Sequence, residues 1–190
     1  MEAVEQLWRA QVLLIEPSTK GWGQAAEVKD SGGAPLATSD ADGTTQDAAG
    51  QLLVRAPLRD RPGKARDPSR VAADVVAADG TKLGELRVAK YRFMPRVRWL
   101  AVRIHDSDGA EVARLEARDK RGDELIVATD GREVATIAVD RVKRGLLRKL
   151  RVYRAQLSGE VSEAQRPLVL AAIIRYDAML KAAMAASGTD

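Results

Sequence analysis

Cysteine is absent from the 190 residues of this chain, and histidine occurs once, at His105. The absence of cysteine excludes a disulfide framework, a cysteine-ligated zinc and a thiol nucleophile. A single histidine excludes a multi-histidine metal site and leaves little basis for Ser-His-Asp chemistry. Glycine-rich phosphate loops of the Walker or dinucleotide-binding type do not occur either. The sequence therefore predicts a non-enzymatic protein with no cofactor, no catalytic residue and no metal site.

Aromatic residues are also scarce, at 4%, so aliphatic residues and alanine must fill any core that the 45% of hydrophobic residues can form. Basic residues number 31 and acidic residues 27, which gives a formal net charge of +4. A dedicated nucleic-acid binder is more strongly basic, so nucleic acid is not the expected partner. The length fits one domain of ordinary size, and we expect residues 1–190 to form it.

Long hydrophobic runs are few. The N-terminal residues lack the basic region and long apolar run of a signal peptide. The longest apolar stretch, residues 167–174 (PLVLAAII), is followed by Arg175 and Asp177. A membrane-spanning helix needs about 20 mostly apolar residues, so this stretch predicts a buried helix of a cytoplasmic protein.

The middle of the chain has the pattern of β-hairpins. Asp79-Gly80, Asp108-Gly109 and Asp130-Gly131 each lie between residues that alternate between apolar and polar. Because Asp-Gly adopts positive φ at low cost, the pattern predicts type I′ turns in a meander of antiparallel strands. Residues 39–70, rich in Asp, Gly, Ala, Thr and Pro, are predicted to be a long mobile loop in which only residues 51–55 are strand-like.

The C-terminal part changes to a helical pattern. Residues 162–165 (SEAQ) resemble a capping box, whereas Pro167 suits the first turn of a helix, and the two signals disagree about where the helix begins. Its first two turns are apolar on every side, which a surface helix is not. We therefore expect surrounding strands to enclose it. The residues predicted to form this buried central helix are Leu168, Leu170, Ile173 and Ile174.

Taken together, the strand–Asp-Gly–strand units, the basic strand and the apolar helix resemble the superfamily of tubby-like, phospholipid scramblase-related and LURF-one-related proteins. The stretches that carry the resemblance are Asp130-Gly-Arg-Glu-Val-Ala-Thr-Ile137, Arg144-Gly-Leu-Leu-Arg-Lys149, Tyr153-Arg-Ala-Gln-Leu157 and Arg166-Pro-Leu-Val-Leu-Ala-Ala-Ile-Ile-Arg-Tyr-Asp-Ala-Met179. Bacterial scramblase-related proteins have similar runs. The resemblance implies a mainly β fold, a closed twelve-stranded antiparallel barrel that encloses a hydrophobic C-terminal helix. It also implies binding of anionic phospholipids or phosphoinositides, or a role as a membrane-tethered adaptor.

The first of two basic stretches, residues 87–99, alternates basic residues with Tyr, Phe and Trp. Aromatic side chains in such a pattern can enter a membrane interface while the basic side chains meet lipid phosphates. The predicted lipid contacts in this stretch are Arg87, Lys90 and Arg92.

The second stretch, residues 141–154, has seven basic residues in fourteen, with a break at Gly145 around which they can crowd. This density predicts binding of phosphoinositide head groups or other polyanions through charge-assisted hydrogen bonds. The predicted contacts are Arg141, Lys143, Arg144, Arg148, Lys149 and Arg151.

Each stretch also fits a simpler interpretation, in which apolar residues point inward and arginine stems cover a solvated barrel face. The functional prediction is a domain that associates peripherally with a membrane, through anionic phospholipid or a membrane-bound protein. The alternative is a soluble protein-interaction or scaffold domain.

Overall fold

The structure is a computed structural model that describes residues 7, 10–17, 25–59, 67–94, 97–144, 148–158 and 161–188. The described residues form twelve β-strands, a short 3₁₀-helix at Pro68–Arg70 and one long α-helix, α1, at Arg166–Ser187. The strands are β1 (Val12–Pro17), β2 (Ala26–Lys29), β3 (Pro35–Ser39), β4 (Thr44–Asp47), β5 (Leu52–Arg55), β6 (Ala72–Ala77), β7 (Lys82–Met94), β8 (Val97–Asp106), β9 (Glu111–Ala117), β10 (Glu124–Thr129), β11 (Arg132–Arg144) and β12 (Arg148–Leu157).

These strands form one closed barrel in which each strand pairs antiparallel with its neighbours in the chain. β1 closes the barrel by pairing with β12, with Leu13 opposite Ala155. Closure leaves no free sheet edge. The prediction of a mainly β, closed, twelve-stranded antiparallel barrel with a C-terminal helix is therefore confirmed.

Helix α1 lies inside this barrel. Leu168, Leu170, Ile173 and Ile174, predicted as its buried residues, are all at most 6% exposed. The residues between them on the other sides of the helix are buried as well, among them Val169, Ala171 and Ala172. No helix in the described part of the chain is long and apolar enough to cross a membrane.

The start of α1 follows the proline signal and not the capping box. The helix begins at Arg166, one residue before Pro167, and its N-cap Gln165 makes no side-chain capping bond. Ser162 Oγ accepts a hydrogen bond from the Gln165 backbone at 3.3 Å, but it stabilises the turn before the helix. Gly188, with a φ of 70°, ends the helix in the left-handed conformation that glycine allows.

Polar residues of α1 find partners on the barrel wall. Arg175 is 1% exposed, and its guanidinium donates to the carbonyls of Asp40 (3.2 Å) and Ala41 (3.4 Å) in the β3–β4 turn. Asp177 accepts a hydrogen bond from Tyr153 of β12 and pairs with Lys181. These charged residues, which interrupt the apolar run in the sequence, fix the position of the helix within the barrel.

The predicted type I′ turn occurs at only one of the three Asp-Gly pairs. Asp130 (φ 49°) and Gly131 (φ 76°) form it. At the other two pairs only Gly80 and Gly109 have positive φ, and each glycine N–H donates to a carbonyl three residues earlier, at 3.0 and 3.1 Å. The prediction was wrong there because a three-residue loop with a bulge requires positive φ at the glycine alone.

The prediction of a long loop over residues 39–70 was wrong for residues 44–47, which form β4. This strand has no apolar residue, yet Thr45 and Asp47 are buried within it. The strand-like residues 51–55 contain β5, as expected. Residues 60–66 lie outside the described part of the chain, so the prediction of mobility there stays a prediction.

Successive connections alternate between the two ends of the barrel, because the strands run up and down in chain order. The β2–β3, β4–β5, β6–β7, β8–β9 and β10–β11 turns lie at one end, the short-turn end. The opposite end, the long-hairpin end, carries the tips of the β7–β8 and β11–β12 hairpins, which contain the longest strands.

We predict that Ile173→Asp unfolds the protein. An unpaired carboxylate in an apolar interior costs several kcal/mol, comparable with a total stability of about 5–15 kcal/mol. The control, Ile173→Val, removes one methylene and should cost about 0.5–1.5 kcal/mol. Urea denaturation followed by circular dichroism measures both, and wild-type stability of Ile173→Asp would contradict enclosure of the helix.

Candidate functional site

Two segments extend past the strands beside them at the long-hairpin end. β7 pairs with β6 only as far as Arg87, and β8 pairs with β9 only from Val102 onward. β11 pairs with β10 only as far as Ala138, and β12 pairs with β1 only from Tyr153 onward. We call residues 88–101 the β7–β8 tip and residues 139–152 the β11–β12 tip. The base of each tip is part of the core, since Val88, Leu100 and Val139 are buried, and the described residues beyond the base are mostly exposed.

These tips concentrate the positive charge of the chain. The β7–β8 tip has four basic residues and no acidic residue, and the β11–β12 tip has six basic residues and one acidic residue. Together they carry a formal charge of +9, whereas the whole chain carries +4. The rest of the protein therefore has a formal charge of −5.

The tips contact each other although β9 and β10 lie between them in the barrel order. Arg151 of β12 donates a hydrogen bond from Nη2 to the backbone carbonyl of Arg98 on β8, at 3.0 Å. The two basic stretches that the sequence presents separately thus meet at one end of the barrel.

Tyr176 of α1 joins the bases of both tips. Its hydroxyl donates to the Leu100 carbonyl (3.2 Å) and accepts from the Leu100 N–H (3.0 Å), at a position of β8 beyond the last pair with β9. Its ring packs edge-on against Tyr153 of β12, with centroids 5.9 Å apart. The central helix thus packs against the residues at which both tips begin.

Both buried phenols stay neutral. Burial raises the pKa of Tyr176 to about 12, although the hydrogen bond with Leu100 opposes this. Burial also raises the pKa of Tyr153 well above its ordinary value, and the nearby charge of Asp177 adds to this. Each hydroxyl therefore keeps the proton that it donates.

The predicted contacts on β7 divide into two groups. Lys90 and Arg92 lie in the β7–β8 tip, are exposed, and have no ion-pair partner in the described part of the chain. Arg87 instead lies on the barrel wall, where it pairs with Glu85 at 2.8 Å. Burial of Glu85 acts to raise its pKa, but hydrogen bonds from Arg87 and Arg59 outweigh burial and lower it. The charge of Arg87 is therefore compensated.

In the β11–β12 tip, basic residues occupy directly opposed positions. The register places Arg141 opposite Arg151, Lys143 opposite Lys149, and Arg144 opposite Arg148. The side chains of the last two pairs lie outside the described part of the structure. Arg141 pairs with Asp123 at 2.8 Å. Like charges at opposed positions destabilise a hairpin, and a bound anion would relieve this repulsion.

The sequence predicted only some of the large hydrophobic side chains that the structure exposes. Among the described residues there are three, and all lie in the tips: Tyr91 (43% exposed), Met94 (50%) and Val142 (49%). Tyr91 stacks on Phe93 with ring centroids 5.0 Å apart. The aromatic alternation in the sequence indicated Tyr91. Met94 and Val142 are exposed because their strands continue beyond the neighbouring strands, and no local sequence pattern indicates where those neighbours end.

His105 lies away from this surface. It pairs opposite Glu85 and Glu111, next to the β8–β9 turn at the short-turn end. Within the described residues, no group of three or more potential ligands is placed to hold a metal ion.

The geometry defines a closed antiparallel barrel with a central helix and a basic surface built from two hairpin tips. Comparisons of the chain with known protein families, with curated proteins and with solved structures give no match. The resemblance to the tubby-like and scramblase-related superfamily therefore stays a prediction.

We predict that Tyr176→Phe lowers stability by about 1–3 kcal/mol, because it leaves the buried N–H and carbonyl of Leu100 without their partner. Tyr91→Phe removes an exposed hydroxyl and should change stability by less than about 0.5 kcal/mol. Urea denaturation compares the two variants. Equal effects would show that the Tyr176–Leu100 bonds do not stabilise the fold.

Stability should also fall at alkaline pH. Because the pKa of Tyr176 is higher in the folded protein than its ordinary value of 10.0, its contribution is complete below pH 10.0 and is lost as the pH rises toward about 12. The stability difference between wild type and Tyr176→Phe should narrow over this range in urea denaturation. A constant difference would contradict the raised pKa.

Proposed function

We propose that this protein is a non-enzymatic domain that binds anionic phospholipid head groups at the cytoplasmic surface of a membrane. The observation that carries the proposal is the meeting of two basic hairpin tips, with a combined formal charge of +9, at one end of the barrel. The predicted contacts that lie in the tips are Lys90, Arg92, Arg141, Lys143, Arg144, Arg148, Lys149 and Arg151.

The physical basis is the attraction of basic side chains to an anionic leaflet. Each Lys or Arg near such a surface contributes about 1 kcal/mol. Phosphate oxygens also accept charge-assisted hydrogen bonds, which suit the uncompensated Lys90 and Arg92. Arg98, exposed and next to the Arg151 contact, joins this group. Arg87 and Arg141 contribute less, because Glu85 and Asp123 already pair with them.

The fold supports the same proposal. A closed twelve-stranded barrel around an apolar C-terminal helix is the architecture that the resemblance to tubby-like and scramblase-related proteins implied. Membership of that superfamily, and the lipid binding and membrane adaptor roles that it implies, are part of the proposal.

Co-sedimentation with lipid vesicles tests the proposal. The protein should sediment with vesicles of phosphatidylcholine and phosphatidylserine but not with phosphatidylcholine alone. Binding should weaken when salt rises from 0.1 M to 1 M, because the Debye length falls from about 10 Å to about 3 Å.

Charge reversal locates the surface. Arg144→Glu with Lys149→Glu removes two contacts of about 1 kcal/mol each and should weaken binding at least about thirtyfold. The matched control is Arg132→Glu with Arg154→Glu, which reverses two exposed charges of the same strands, β11 and β12, outside the tip. Equal losses in both variants would contradict the assigned surface. Absence of binding to anionic vesicles at low salt would favour the protein-interaction domain instead.

A further inference from the structure

The exposed apolar residues add a second kind of contact to the basic surface. Single exposed hydrophobic residues scattered over a protein need no explanation. Here all three large ones in the described residues, Tyr91, Met94 and Val142, lie in the two tips that also carry the basic residues. A surface that contacts only solvent or charged groups gains no free energy from exposed apolar side chains.

We propose that Tyr91, Met94 and Val142 insert into the boundary between lipid head groups and acyl chains, so that the barrel stands on the membrane on its two hairpin tips. This inference rests on the proposed function and specifies how the same surface engages the lipid. An amphipathic aromatic ring such as that of Tyr91 suits this depth, and aliphatic side chains bury their surface there.

The projection of the tips makes insertion possible. Their exposed residues lie beyond the last paired residues of the neighbouring strands at this end of the barrel, so they are placed to meet a flat surface there. The Arg151–Arg98 contact joins the two tips to each other, and the hydrogen bond from Tyr176 to Leu100 joins the β7–β8 tip to the central helix. Stacking of Tyr91 on Phe93 stiffens the end of the β7–β8 tip.

Charge fixes the direction in which the barrel faces. Outside the tips the protein has a formal charge of −5, derived from the sequence. Every turn at the short-turn end contains aspartate, because its carboxylate or its tolerance of turn geometry stabilises the loop. These residues are Asp30, Asp47, Asp79, Asp106, Asp108 and Asp130. The long-hairpin end also carries Asp40, Asp42, Asp119 and Asp123 in its other connections. The ten basic residues of the tips outnumber these aspartates, so an anionic membrane attracts this end more strongly than the short-turn end.

The combination of basic and apolar side chains in the tips favours a lipid surface over a protein as the partner that binds there. A lipid interface offers phosphates to flanking basic residues and an apolar layer directly beneath them. The tips carry these two chemistries on opposite faces, because successive side chains of a strand point to opposite sides: Tyr91 and Lys90 lie on different faces of β7, and Val142 and Arg141 lie on different faces of β11.

Site-specific labelling tests the insertion, and the natural absence of cysteine allows single labels. Met94→Cys and Val142→Cys place an environment-sensitive fluorophore in each tip, and Ser107→Cys places it in the β8–β9 turn at the short-turn end. With vesicles of phosphatidylcholine and phosphatidylserine, both tip probes should shift to the blue and be quenched by lipids brominated on the acyl chains. The Ser107→Cys probe should show neither effect.

The outcomes separate this inference from the function on which it rests. Binding without acyl-chain quenching at either tip would overturn insertion and leave anionic lipid binding intact. Quenching at Ser107→Cys equal to that at the tips would overturn the upright orientation. Failure of the unlabelled protein to bind anionic vesicles would overturn both proposals.

A variant without labels provides an independent measurement. Met94→Ser with Val142→Ser removes apolar surface and keeps every charge, so binding at 1 M salt, where electrostatic attraction is screened, should weaken about three- to tenfold. Unchanged binding of this variant at 1 M salt would contradict insertion. Thermal unfolding should be unaffected, because both side chains are about half exposed.

Discussion

Burial of a helix that is apolar on every side is the constraint on which this structure depends. Such a helix cannot rest on a sheet with one face in water, so the sheet must surround it. Closure through β1 and β12 provides the enclosure and also removes both sheet edges. The helix then brings polar groups into the interior, where Arg175, Tyr176 and Asp177 bind backbone or side-chain atoms of the wall. Those contacts set the depth and rotation of the helix in the barrel.

Unequal strand lengths turn the barrel into a protein with two different ends. Strands such as β4 and β5 have four residues, whereas β7 and β11 have thirteen. The additional residues of the long strands project past their neighbours as the two tips. Tyr176 links these regions, because the same residue that positions the helix also contacts β8 and β12 where the tips begin. Stability of the core and geometry of the surface are therefore coupled through one side chain.

The small net charge of the chain hides a strong separation of charge. A formal +4 is the difference between +9 in the tips and −5 elsewhere. On the barrel wall, basic residues are compensated locally, as Arg87 is by Glu85 and Arg114 by Glu111. In the tips, acidic residues are nearly absent. An average over the whole sequence thus underestimates the field that one end of the molecule presents to an anionic partner.

The sequence by itself determined the strand alternation, the positions of the Asp-Gly turns and the buried helix with Leu168, Leu170, Ile173 and Ile174, because these depend on local periodicity, whereas it predicted the wrong turn type at Gly80 and Gly109. It identified the basic stretches but not their meeting, and it missed β4, whose Thr and Asp residues lack an apolar pattern. Only the tertiary structure decided that Arg98 and Arg151 touch, that Arg87 is neutralised and that Met94 and Val142 are exposed. These features depend on which strands end early and which side chains face each other across the barrel, and residues far apart in the chain determine both.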